Sequence, residues 1–256
     1  MNIAVIDKLL LAFFADLQGY FALAGRTVVR IFRRPFYYRE FAVQFDKLGF
    51  SSLFICVLTG LFSGMVMALQ ALIQLKPFAA TSYVGGMVAA TMIKELGPVL
   101  ASLMVAGRVG SAITAELGTM VVTEQVDAMR VEGTDIVKRL VAPRLKAMLL
   151  AMPLLTVVAD AISVFGGYIM SAGYGINPTM YLTGIPQFMV FQDLIEGLTK
   201  PAFFGLVIAL TGCYAGLNTR GGAEGVGNAA KRAVVMSSVI ILVSDFFISK
   251  FFVAFR

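Results

Sequence analysis

The sequence predicts an all-α integral membrane protein: an amino-terminal interfacial helix, five transmembrane helices, and a further cytoplasmic helix between the second and third spans. Three observations carry that prediction. Of 256 residues, 59% are hydrophobic and 14% charged, with a mean hydropathy of +0.85, where a soluble domain carries roughly 25% charged residues. Five largely uncharged intervals approach the ~20 apolar residues that cross ~30 Å of hydrocarbon. The basic residues gather in alternate connecting segments.

Residues 1–47 read as a cytoplasmic-side unit of interfacial and elbow helices, and residues 48–256 as the transmembrane domain. In IAVIDKLLLAFFADLQGYFALAGRTVVRIFRRP, Asp7, Lys8 and Asp16 break the apolar run, while Arg26, Arg30 and Arg33 recur at spacings of four and three on one face. That pattern predicts a helix lying in the interface, with a sixth span as the alternative. The apolar stretch precedes the arginines, the reverse of a cleavable signal peptide. Pro35 is expected to end this helix, and FYYREFAVQFDKLGF to form a short second one leading into the first span.

The clearest span is LFICVLTGLFSGMVMALQALI, lying between Lys47 and Lys76 with small residues at Gly60, Ser63 and Gly64. A second covers about 84–108 and contains the pair Lys94, Glu95. The third covers about 147–167 around Asp160, the fourth 201–217, and the fifth about 233–255 around Asp245. Residues 1–47, 108–146 and 214–232 hold seven, six and three Lys or Arg, 16 of the 21 in the chain. With five spans these segments share one side, so the positive-inside rule places the amino terminus in the cytoplasm and the carboxyl terminus outside. The net charge of +6 is thereby a topology signal and argues against a nucleic-acid partner.

Charges inside spans cost ~2.5 to 3.5 kcal/mol at the bilayer centre on insertion scales, so they face a bundle interior or a wet cavity. Lys94 and Glu95 are neighbours in sequence and project about 100° apart on a helix. They line a path, pair across a subunit interface, or form a buried structural pair. Asp160 and Asp245 read more simply as carboxylates bonded to a neighbouring helix. Gly97, Ala101, Ser102, Ala106, Gly107, Gly110, Ser111 and Ala112 permit close helix approach, which is what associates helices in lipid.

The segment TMVVTEQVDAMRVEG places Val122, Val126 and Met129 on one face and Thr123, Glu124, Asp127 and Arg130 on others, ending at Gly133 with Thr134 as the candidate cap of the next helix. It predicts a cytoplasmic amphipathic helix. A membrane-surface helix would carry a mainly basic polar face; here Glu124, Asp127 and Glu132 outnumber Arg130, which favours a protein partner. The two cysteines, Cys56 and Cys213, lie inside spans and the chain has no histidine. His- or Cys-based metal sites and Ser-His-Asp catalysis are therefore excluded. No G-x-x-x-x-G-K-[ST] stretch occurs, so the chain carries no P-loop for nucleotide.

KELGPVLASLMVAGRVGSAITAELGTMVVTEQVDAMRVEGTDIVKRLVAPR resembles the signature region of the MlaE (YrbE) family of ABC-transporter permeases, and TGLFSGMVMALQ, PLLTV and SSVIILVSDFF are similar to the same family. The resemblance runs over about residues 20–256. It implies an inner-membrane transport subunit, not an enzyme, that forms a homodimer and moves phospholipid or a related lipid. Its implied partners are a cytoplasmic ABC ATPase that binds the ATP, so that this chain holds no cofactor, and a ring of periplasmic MCE-domain proteins; a STAS-domain protein beneath the ATPase is a further partner it allows. It also implies a substrate pathway through Met67, Gln74, Leu75, Phe78, Lys94 and Glu95. TEQVDAM becomes the coupling helix, with Glu124, Gln125, Asp127 and Arg130 toward the ATPase. The contrasting expectation is an ion-coupled carrier or channel that uses Lys94, Glu95, Asp160 and Asp245 as a relay.

Overall fold

The computed structural model describes residues 3–31 and 37–254, without the side chains of residues 3–13 and 15. Arg33 and the helix end expected at Pro35 lie outside the described residues, as do the side chains of Asp7 and Lys8.

The described chain is helical: α1 Ile3–Ile31, α2 Tyr38–Phe78, α3 Thr81–Val122, α4 Gln125–Val131, α5 Val137–Gly173, α6 Pro178–Phe188, α7 Phe191–Leu217 and α8 Gly222–Ala254. Five of these, α2, α3, α5, α7 and α8, are long and apolar enough to cross a membrane. Each begins earlier or ends later than its uncharged core in the sequence. The fourth starts at Phe191, ten residues before the expected position, and carries Asp193, Glu196 and Lys200 in its first turns.

The elbow segment and the first span are one helix, joined by a π turn at Asp46–Phe50. Further π turns interrupt α3 at Met92–Leu96 and Ala106–Gly110, and α5 opens with one at Val137–Val141. Such turns rotate the following face of a helix and recur at functional positions. A short helix absent from the sequence expectation, α6, stands between the third and fourth spans. It begins at the Asn177 cap, whose side chain accepts from the Thr179 amide at 3.0 Å.

Small residues set the packing. Along α2 the positions Ser52, Cys56, Gly60, Gly64 and Ala68 recur every fourth residue and are all buried. Gly60 and Gly64 meet Ala159 and Ser163 of α5, and Gly166 of α5 meets Leu61, so closely that a Cβ on Gly64 would collide with the Ser163 carbonyl. On α7, Gly197, Gly205, Gly212 and Gly216 lie against the backbones of Ile93, Met148, Gly110 and Thr114. Lipid offers no hydrophobic drive for helix association, so close backbone approach supplies the contacts that replace it. Of the small residues expected on α3, Gly97, Ala101, Ser102, Ala106 and Gly110 are buried, whereas Gly107 and Ala112 face outward. Gly64→Leu is expected to destabilise the detergent-solubilised protein by roughly 1 to 3 kcal/mol or prevent its folding. Gly107→Ala meets nothing within 4 Å and should leave the melting temperature unchanged. Equal melting of the two variants would contradict this packing.

The basic end of the bundle, where α2, α5 and α8 begin beside the 123–136 and 218–221 connections, is held by ion pairs. Glu116 of α3 joins Lys47 of α2 at 2.8 Å and Arg144 of α5 at 2.9 Å. Helix α1 docks at this end: Arg30 pairs with Asp135 at 2.9 Å, and Tyr20 packs edge-on against Tyr214, ring centroids 5.9 Å apart. At the opposite end α6 covers α3. Gly85 and Gly86 approach Tyr181, Gly184 and Phe188, and the Tyr181 hydroxyl donates to the Val164 carbonyl at 3.1 Å. Burial raises that phenol above its ordinary value, so it remains a donor at physiological pH.

Candidate functional site

The polar centre of the bundle begins with a proline. Pro98 has no N–H to give to the carbonyl four residues back, which in α3 is that of Lys94. Lys200 of α7 supplies the missing donor, its Nζ reaching the Lys94 carbonyl oxygen at 2.8 Å. The same ammonium pairs with Glu95 at 2.8 Å and Glu196 at 2.9 Å. Its three donors are thereby used, and Asp245 of α8, 3.5 Å away, contributes charge without a hydrogen bond. Lys200 is fully buried.

Around this core the adjacent pair of α3 divides its partners. Lys94 binds Asp193 at 2.9 Å, and the other oxygen of Asp193 accepts from the Val190 amide that opens α7. Glu95 remains 44% exposed on its side chain while holding Lys200. Ser249 of α8 stands 3.2 Å from Glu95 Oε2 and 2.9 Å from the Asp245 carbonyl, and its single hydroxyl proton serves one of them at a time. Two ammonium groups thus face four carboxylates: Lys94 and Lys200 against Glu95, Asp193, Glu196 and Asp245. A cleft of about 240 Å³ opens beside Asp193 and Glu196, walled on its other side by Phe251, Phe252 and Val253 of α8. Acidic and aromatic surfaces therefore meet in one opening.

Of the residues singled out in sequence, Lys94, Glu95 and Asp245 come together here, and Asp160 stands apart. Asp160 is buried against Gly97, where any side chain would collide with its Oδ1, and that oxygen has no hydrogen-bond partner. It does not bond a neighbouring helix through that atom, contrary to the sequence expectation. Met67 and Leu75 pack on a second apolar cluster that includes Met92, two residues before Lys94, whereas Gln74 and Phe78 are exposed. None of the main cavities among the described residues is lined by these four or by Lys94 and Glu95. The residues missed were Lys200, Glu196 and Asp193. Their spacing of three and four places them on one face of a helix, in FQDLIEGLTKPAFF.

The segment between the second and third spans also differs from its reading. Instead of a continuous helix, α3 ends at Val122, the chain turns at Thr123 and Glu124, and α4 is a separate seven-residue helix. Val126 is buried and Met129 packs on the core, but Val122 is 40% exposed and belongs to α3. Glu124 adopts a left-handed backbone conformation, φ 60°, which is costly for a residue with a Cβ. Asp127 and Arg130 pair with each other on the exposed face at 2.8 Å, and Gln125 donates to Thr123. The cap of the following helix is Asp135, whose Oδ1 accepts from the Val137 amide at 3.1 Å; Thr134 does not fill that place.

A multi-pass helical bundle, with small-residue seams and a charged cluster buried between three of its long helices, is the build of a membrane transport protein. Comparison with known proteins makes that specific. Residues 41–251 match the family described as Permease MlaE. A probable ABC transporter permease protein of Rickettsia typhi is 42% identical over 239 residues, 93% of this chain and 92% of the relative. The intermembrane phospholipid transport system permease protein MlaE of Haemophilus influenzae is 32% identical over 254 residues, 96% and 95% of the two chains. The chloroplast protein TRIGALACTOSYLDIACYLGLYCEROL 1 of Arabidopsis thaliana is 37% identical over 231 residues, 90% of this chain and 66% of the relative. The chain belongs to the MlaE permease family.

Proposed function

We propose that this chain is the membrane subunit of an ABC transporter that moves phospholipid between the inner membrane and a periplasmic MCE-domain ring. A separate cytoplasmic ATPase drives it, and two copies of the chain form the transport unit. The observation that carries this reading is the match over 96% of the chain to a relative named as the permease of an intermembrane phospholipid transport system. The chain itself is a non-enzymatic subunit, and ATP belongs to the partner.

Two features fit the roles assigned to each end. The distribution of basic residues favours a cytoplasmic amino terminus and a periplasmic carboxyl terminus, which puts α4 on the ATPase side and the Lys200 cluster nearer the periplasm. The turn before α4 and the helix itself offer Glu124, Gln125, Asp127 and Arg130 outward while Val126 and Met129 anchor the helix. A strained turn at Glu124 joins it to α3, the helix that carries Lys94 and Glu95. Helix α3 thus connects α4 to the charged cluster as one element, over about 40 Å of helix rise. At the other end, Met67, Gln74, Leu75 and Phe78 would line the lipid path with Lys94 and Glu95, since flexible apolar and aromatic groups suit acyl chains of varied shape. An ion-coupled carrier is the weaker reading, because Lys94, Glu95 and Asp245 are tied into one network around Lys200 while Asp160 lies outside it.

Photocrosslinking amino acids at Met67 and Phe78 test the pathway. Both are expected to capture phospholipid in the assembled transporter, well above the level at Phe203 on the outer face of α7. Capture at Phe203 alone would refute the assignment.

A further inference from the structure

Arg108 of α3 is an arginine inside the apolar zone of the bundle that no carboxylate answers. It lies eight residues before Glu116, which holds the ion pairs of the basic end, and thirteen after Glu95 of the charged cluster. By helix rise these separations are about 12 and 20 Å. The two charged layers therefore stand about as far apart as the ~30 Å of a hydrocarbon core, and Arg108 falls between them. The π turn at Ala106–Gly110 buries Val109 and Gly110 and leaves Arg108 exposed. Among the described residues its guanidinium has no ion pair or hydrogen bond. Its charge reaches the Cys56 thiol, which places it beside α2. The adjoining face of α2 also carries polar groups without partners. Hydroxyls elsewhere in the bundle, at Ser52, Ser102, Thr114 and Thr156, turn back to the carbonyl four residues earlier. Those of Thr59 and Ser63 have no hydrogen bond among the described residues, and both line a small crevice with Leu100, two turns before Arg108. Thr59, Ser63, Met67, Gln70 and Gln74 follow one another at spacings of four, four, three and four, a single stripe of α2 leading away from the basic end. Acyl chains satisfy none of these polar groups.

We propose that Arg108 binds the phosphate of a glycerophospholipid on the transport path, with the Thr59–Gln74 stripe of α2 as the wall along which its polar part passes. This rests on the phospholipid-transport reading and adds to it a head-group site in the half of the membrane nearer the basic end. An arginine at this depth calls for an anion. A second copy of the chain offers none at the same level. Between the two charged layers the long helices hold one carboxylate, Asp160, and it is buried inside its own bundle against Gly97. Glu116 is already taken by Lys47 and Arg144, and Glu95 by Lys200. The anion therefore comes from a ligand. A free phosphate ion would lose its water there with nothing to offset the loss. A lipid phosphate is carried to that depth by its acyl chains, and the forked donors of an arginine match its oxygens in pairs.

Arg108 has no side-chain partner to lose among the described residues, so Arg108→Gln and Arg108→Lys are expected to fold with the melting temperature of the parent. A photocrosslinking amino acid at Met104, one turn before Arg108 and partly exposed, reports the occupant in the complete transporter reconstituted in vesicles. The vesicles carry traces of labelled phosphatidylglycerol and of labelled diacylglycerol with the same acyl chains, which differ only in the phosphate-bearing head. Capture at Met104 is expected to favour phosphatidylglycerol at least about fivefold. A crosslinker at Phe203, on the outer face of α7, should show no preference. Arg108→Gln should bring the ratio at Met104 to near one, and Arg108→Lys should keep most of it. During ATP turnover capture at Met104 should change while capture at Phe203 stays constant. Equal capture of the two lipids with Arg108 in place, or a preference that survives Arg108→Gln, would overturn the proposal. So would a preference indifferent to ATP, which makes Arg108 a snorkelling contact with bulk lipid, and so would capture of a second copy in place of lipid. A parent assembly that shows no ATP-driven phospholipid transfer would remove the transport reading itself, and the proposal with it.

Discussion

Lys200→Met is expected to give the largest single loss of stability in the protein. The ammonium is fully buried and holds Glu95, Glu196 and the carbonyl freed by Pro98, with Asp245 close by. Removing it leaves three carboxylates facing one another without their cation. Breaking a buried pair from one side costs roughly 3 to 5 kcal/mol, which shows as a large fall in melting temperature or in folded yield. Neutralising the partners should restore much of it: Lys200→Met with Glu95→Gln and Glu196→Gln removes the repulsion together with the cation. If the cluster also serves the lipid path, that triple variant will fold, assemble and fail to transfer lipid. A Lys200→Met protein as stable as the parent would mean that the cluster does not hold α3, α7 and α8 together.

The second large effect is expected in coupling. Glu124→Lys with Asp127→Lys reverses the acidic face of α4. The internal pair it removes, Asp127 with Arg130, is about two-thirds exposed on both sides, and such surface pairs are worth under ~1 kcal/mol. The bundle should therefore fold and insert as before. A charged contact desolvated against a partner costs ~2 to 5 kcal/mol on truncation, at least roughly thirtyfold in affinity, so ATPase pull-down or coupling of hydrolysis to lipid transfer should fail. Reversal of Arg220, exposed in the connection between α7 and α8, is the control and should have little effect. Normal assembly and transfer in the double variant would reduce α4 to a surface element.

The five long helices were legible because each has a largely uncharged, apolar core near span length, and the basic residues mark one end of the bundle. Their true limits were hidden by the same criterion. Seeking uncharged intervals began the fourth span at Pro201 and cut away Asp193, Glu196 and Lys200, the turns that neutralise Lys94 and Glu95. Charges that cancel across helices cannot be seen one helix at a time. Pro98 did carry a local clue, since an interior proline frees the carbonyl four residues back and so asks for an outside donor. The break at Glu124 had no such clue: TEQVDAM fits a continuous helix by periodicity, and the turn arises where Val126 and Met129 fold back onto the core. Helix α6 was passed over because eleven residues with prolines at both Pro178 and Pro186 give a weak helical signal.

The central claim is that this chain moves phospholipid under the control of a separate ATPase. The most direct measurement is transfer of labelled phospholipid by the reconstituted assembly, comparing ATP with a non-hydrolysable analogue and the parent chain with Glu124→Lys, Asp127→Lys. Transfer is expected to require hydrolysis and to be lost in the double variant. Transfer that proceeds without ATP hydrolysis and follows an imposed ion gradient would contradict it.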